Sequence, residues 1–234
     1  MRKGLFFAAS LVCGWLFTGC DDGNIYPPER EEAGGPKVTM QVSFTGLEAW
    51  PVNYSLLFAA FGEDGKHPVI SKIISRPASG NEQVTVSLSG LDERVRTIAI
   101  AVANKGREPV YSCYSYAYNG EQELLLPVSE INLAAYGRVQ QQVFDSYCTR
   151  CHGEGEQAAA SLYLTAERSY RSIVNVPSSL SAANKLLIHP VLPAESFMID
   201  ILTTDIVQYN HTDVLPEAEM ITLIETWIKE GAKE

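Results

Sequence analysis

Five consecutive residues, Cys148-Thr149-Arg150-Cys151-His152, form the densest concentration of reactive side chains in the sequence. Two thiols three residues apart at a helix end can add across the two vinyl groups of a haem. The adjacent imidazole then lies under the iron as its proximal ligand. Thioether bonds make such a cofactor permanent, which matters in a compartment where dissociated haem would be lost. Other chemistry is open to the same residues. C-x-x-C is half of a zinc ribbon, but there is no second C-x-x-C, and Cys148, Cys151, His189 and His211 make an irregular ligand set. The spacing also suits a thioredoxin-like redox pair, though no βαβ pattern surrounds it. A plain structural disulfide is the third alternative, which an exported protein permits. The histidine directly after the second cysteine favours haem.

A helix must deliver this motif. Val139, Val143 and Phe144 recur at helical spacing and run directly into Cys148. A second helix closes the chain, with Met220, Leu223, Ile224, Trp227 and Ile228 on one apolar stripe, Pro216 in the first turn and Gly231 at the end.

These features together resemble a c-type cytochrome domain, particularly the short, lipid-anchored kind of Bacteroidetes and Planctomycetes. The similarity covers roughly residues 136 to 232. It rests on Phe144 four residues before the first cysteine, the cysteine pair, and Gly153 after the histidine. Val174-Asn175-Val176-Pro177 and the closing Leu215-Pro216 to Trp227-Ile228-Lys229-Glu230-Gly231-Ala232 extend it. The resemblance implies a small all-α domain with one covalent haem c on Cys148 and Cys151 and His152 as proximal iron ligand. It also implies that the terminal helix crosses the helix before the motif, bringing Phe144 close to Trp227.

The sixth iron ligand departs from the family pattern. Members usually carry Met-Pro shortly before the terminal helix, whereas no methionine occurs between Ile199 and Glu219. His211 lies in that stretch, four residues before Leu215, and is the first candidate, since imidazole is a good iron ligand. Met198, on an expected short helix from Ala194 to Leu202, is the second, and His189 beside Pro190 the third; an open position is the remaining alternative. Imidazole in place of a thioether gives a lower reduction potential.

The N-terminus is address rather than fold. Arg2 and Lys3 precede an apolar run from Leu5 to Phe17 that is too short to span a bilayer. Leu16-Phe17-Thr18-Gly19-Cys20 resembles a bacterial lipobox, which makes residues 1–19 a signal peptide and Cys20 the lipidated first residue. Two or more acyl chains anchor a protein stably where one does so only marginally. Asp21 and Asp22 follow. Acidic residues there resemble a surface-export signal of Bacteroidetes, and in other bacteria an Asp resembles an inner-membrane retention signal. A lipid anchor in the cell envelope is expected, at the outer membrane or cell surface ahead of the inner membrane. Residues 20–36, rich in Asp, Glu, Pro and Gly, read as a flexible tether.

From Lys37 the texture becomes alternating. Val38, Met40, Val42 and Phe44 have period two, as do Val84, Val86 and Leu88. Five further strand-like runs are 54–61, 69–75, 97–103, 110–118 and 121–126, separated by turn signals. Asn119-Gly120 predicts a type I′ hairpin between the last two. Seven short strands suggest an antiparallel β-sandwich over residues 37–130, similar in architecture to immunoglobulin and fibronectin type III domains. The all-α haem domain then occupies 131–234, with the boundary between Pro127 and Ala135. Tyr111, Tyr114, Tyr116 and Tyr118 offer either an aromatic binding face or cross-strand packing, of which packing is the expected role. Cys113 has no evident partner and reads as a buried thiol.

A formal net charge of −10 repels phosphate backbones, so nucleic acid is not an expected partner. No Ser/His/Asp grouping, no second haem motif as in di-haem peroxidases and only four histidines are present. The function expected first is therefore one-electron transfer with a redox partner protein at the envelope, by a carrier rather than a catalyst. The alternative is a surface binding or adhesion lipoprotein, whose sandwich contacts a partner and whose haem is structural or sensory. An enzyme reducing peroxide or a nitrogen oxide requires a vacant sixth position.

Overall fold

The structure is a computed structural model that describes residues 35–155 and 158–234. The expected signal peptide, Cys20 and nearly all of the expected tether lie outside the described residues. Among the described residues no helix is long and apolar enough to cross a membrane.

The alternating segments form two four-stranded sheets. In the first, β1 (Lys37–Thr45) pairs antiparallel with β4 (Val84–Ser89), Val38 facing Leu88 and Met40 facing Val86. The second has the order β3 (Pro68–Ile73), β2 (Ser55–Phe61), β5 (Thr97–Ala103), β6 (Pro109–Ala117), antiparallel throughout. The two inner faces share one core. Val38, Met40, Val42, Phe44 and Leu88 from the first sheet meet Leu56, Phe58, Ile98, Ile100 and Val102 from the second. β2 and β5 are buried along almost their whole length, which explains why they read as near-continuous apolar runs.

Two features depart from the expected all-antiparallel sandwich. β7 (Glu123–Leu125) and β8 (Glu130–Asn132) both run parallel to β1, one along its first residues and the other along its last. Asn119-Gly120 is correspondingly not a hairpin turn. β6 belongs to the second sheet and β7 to the first, so the chain changes sheets there. Gly120 has a φ of 88° while Asn119 is not among the positive-φ residues, and a type I′ turn needs both. Glu121 holds this corner instead. Its carboxylate accepts from the Tyr116 hydroxyl and the Asn119 N–H, each at 3.0 Å, and its carbonyl accepts from the Tyr118 hydroxyl at 2.7 Å.

A continuous helix then runs from Tyr136 to His152. It begins as α1 (Tyr136–Val139), takes π-helical turns over Gln140–Cys148 and ends as α2 (Thr149–His152). The expected Ala194–Leu202 helix is split at Ser196 into a 3₁₀ turn (Pro193–Glu195) and α4 (Phe197–Thr203); α3 (Ser169–Ile173) precedes both. The terminal helix α5 (Ala218–Lys229) has Glu217 as its N-cap, so Pro216 stands just before the helix rather than in its first turn. Its end is a Schellman motif: Gly231 (φ 99°) donates to the Ile228 carbonyl and Ala232 to that of Trp227, each at 2.9 Å. Val139, Val143, Phe144, Leu223, Ile224 and Trp227 lie in a second hydrophobic core. Tyr136 stands between the two aromatic residues expected to meet, 6.4 Å from Phe144 and 5.1 Å from Trp227 between ring centroids.

The β1–β2 connection, residues 46–54, packs against this second core. Gly46 starts it with φ 64°, and a Cβ there would lie 2.8 Å from the Ala134 nitrogen. Gly46→Ala is therefore expected to destabilise the protein by about 1–3 kcal/mol from backbone strain alone, with the clash added, as read by the urea midpoint.

Candidate functional site

The motif closes the long helix, which sets the two thiols in different surroundings. Cys148 is partly buried against the second core, while Cys151 is exposed, and both are free thiols. Burial, then the Asp145 carboxylate and Cys151, push the Cys148 thiol up to about 12. Among the described residues no three His, Cys, Asp or Glu side chains converge as a metal-binding group.

His152 is held by the turn that follows. Its Nδ1 lies 3.0 Å from the Ala159 carbonyl oxygen, and because a carbonyl only accepts, Nδ1 carries the proton. The lone pair is thereby left on Nε2, the tautomer a metal-ligating histidine needs. Ala160 and Ser161, each with φ 53°, form the strained turn beside that carbonyl. Burial lowers the His152 pKa, opposed by hydrogen bonds to the Ala159 and Leu162 backbone and reinforced by His211, so the neutral imidazole is favoured.

His211 comes to the same place from the stretch between α4 and α5. The rings of His152 and His211 lie 6.4 Å apart between centroids and within 23° of parallel. Two imidazoles that each place a nitrogen about 2 Å from one metal ion have centroids about 6 Å apart. The His211 Nδ1 is buried and has no hydrogen-bond partner among the described residues, as a ring awaiting a further interaction has. Tyr209 packs edge-on against it at 5.1 Å. Asn210 shapes the turn, its side-chain oxygen accepting from the Thr212 N–H and hydroxyl, each at 2.8 Å. The residues present thus fit a haem, which Cys148, Cys151, His152 and His211 would hold.

The other distal candidates sit differently. Met198 is 5 % exposed in the second core, on α4. His189 is tied into a turn, its N–H donating to the Ser196 hydroxyl at 2.9 Å and its Nδ1 lying 2.9 Å from the Pro190 carbonyl oxygen. An open hollow of about 540 Å³ adjoins the motif, lined by Arg150, Cys151, Glu154 and Ala158 among others. Neither imidazole is among the residues that line it.

Two groups that matter here carried no signal in the sequence. One is the Ala159 carbonyl, a backbone atom in an alanine-rich stretch. The other is Arg138, which reads as a surface residue on a helix yet is only 2 % exposed. In the sandwich, Tyr111, Tyr114 and Tyr116 pack against the first core, and the Tyr111 hydroxyl lies against Gly137. Burial raises the Cys113 thiol to about 11, in keeping with an unreactive residue.

Comparison with known proteins gives no relative: no family model, no curated protein and no solved structure matches the chain.

Proposed function

We propose that this protein is a mono-haem c-type cytochrome that transfers single electrons at the cell envelope, anchored there by lipid on Cys20. In this reading the sandwich is of the immunoglobulin or fibronectin type III kind, the helical part is cytochrome c-like, and the exchange partner is another redox protein. The observation that carries the reading is the pairing of His152, the histidine of C-x-x-C-H, with His211 at 6.4 Å. A haem bound here supplies a one-electron iron couple. The chain's own work is to hold it. Cys148 and Cys151 would provide the two sulfurs, His152 would offer Nε2 because its Nδ1 proton is committed to the Ala159 carbonyl, and His211 would offer a second imidazole. Leu162 and Leu215 are partly buried against the second core.

Co-expression with a cytochrome maturation system followed by mass spectrometry tests it. The expected product carries the added mass of one haem and a low-spin spectrum, both lost when Cys148 and Cys151 are replaced together by alanine. An unmodified mass, or a disulfide joining these two cysteines, would overturn the proposal.

A further inference from the structure

The helix that ends in His152 and the segment that brings in His211 are both fastened to one short piece of the sandwich, the β1–β2 connection at residues 46–54. On the first side, Arg138 lies two and a half turns or so before the motif, on the same helix. Its Nη1 donates to the carbonyls of Ala49, at 2.7 Å, and Leu133, at 2.8 Å, and its Nε donates to Gln142 Oε1 at 2.9 Å. The buried guanidinium is thus held by two carbonyls and an amide oxygen, groups with fixed positions, so it acts as a bracket between helix and connection. On the second side, the stretch carrying His211 ends at Glu217, the N-cap of α5. Glu219 Oε2 accepts from the backbone N–H groups of Val52, at 2.8 Å, and Asn53, at 2.7 Å, and Asn53 Nδ2 donates to Glu217 Oε2 at 2.7 Å. Lys229, at the other end of α5, reaches Glu48 of the same connection at 2.7 Å.

We infer that residues 46–54 are a strap by which the sandwich sets the separation of His152 and His211, with Arg138 and Glu219 as the positioning residues on its two sides. The inference rests on the haem reading above for its purpose, but its geometry concerns the polypeptide alone. Packing by itself fixes the two helices only as far as their side chains interdigitate. The carboxylate of Glu219 holds two consecutive backbone N–H groups, which fixes both the position and the direction of the chain at Val52 and Asn53. A sandwich used in this way belongs to the redox site rather than to a separate binding module.

The test uses the full chain with Glu219→Ala and Glu219→Gln. Alanine removes both hydrogen bonds to the strap, and glutamine keeps an oxygen that accepts them. In protein without haem, amide hydrogen exchange is expected to rise several-fold over residues 211–217 in Glu219→Ala and to return close to the parent rate in Glu219→Gln. In haem-loaded protein, Glu219→Ala is expected to show a partly high-spin spectrum at unchanged haem content, with the glutamine variant low-spin. Faster exchange at Val52 and Asn53 alone, with 211–217 and the spectrum unchanged, would overturn the strap. Chain that takes up no haem but shows the exchange pattern upholds the strap and removes the proposed function, so the two failures are distinguishable.

Discussion

Replacing His211 by alanine is expected to leave the haem attached and to convert the iron from low-spin to high-spin. In the proposed cytochrome, attachment would depend on Cys148, Cys151 and His152, which share the end of one helix, and none of these is altered. His211 reaches the site from a different stretch of chain, and its ring is the one facing His152 at 6.4 Å. Tyr209, which packs edge-on against the His211 ring at 5.1 Å, remains beside the space that the alanine leaves. Excess imidazole should restore the low-spin spectrum by filling the space that the side chain vacates. His211→Met is expected to raise the reduction potential, because a thioether opposite histidine favours the reduced iron more than a second imidazole does. An unchanged spectrum in the alanine variant would remove His211 from the site and return Met198, His189 or an open position to it.

The second large effect is expected at Trp227. It is 2 % exposed, lies 5.1 Å from Tyr136 and 6.5 Å from Tyr170 between ring centroids, and donates from Nε1 to the Lys233 carbonyl at 2.8 Å. Trp227→Ala removes the largest side chain of the second core and is expected to cost about 3–5 kcal/mol. That is a large share of the stability of an ordinary domain, about 5–15 kcal/mol. Trp227→Phe keeps most of the ring contact but loses the hydrogen bond, so about 1–2 kcal/mol is expected. Urea denaturation followed by circular dichroism gives both values. The larger loss should fall on the helices around the motif, because Trp227 packs against Tyr136 at the start of the helix that carries Cys148. A loss in Trp227→Ala no greater than in Trp227→Phe would show that the second core closes without this ring.

Much of the β-region was legible because alternation is a local signal. Each of the seven expected strand runs overlaps an observed strand, since a side chain at period two has only one way to reach a core on one face. What the alternation does not carry is which strand lies beside which. The run after Asn119-Gly120 has the pattern of a hairpin partner, but β7 crosses to the other sheet and runs parallel to β1, held by the Glu121 corner. Strand β8 is three residues long, too short for a period to register. The apolar stripe of α5 and the cap at Gly231 were equally plain, whereas the start of the helix was displaced because Glu217 rather than Pro216 ends the preceding loop.

The sequence by itself placed Cys148, Cys151 and His152 side by side, because their spacing is fixed by covalent geometry whatever the rest does. It also determined the apolar faces, because periodicity is a property of neighbouring residues. Only the tertiary structure decided that His211, 59 positions away, faces His152, that an alanine carbonyl sets the His152 tautomer, and that an arginine is buried beneath the sandwich. Each of these depends on chain segments meeting across a fold. The free energy of such meetings is shared among many weak contacts, so no single residue type or spacing announces them in advance.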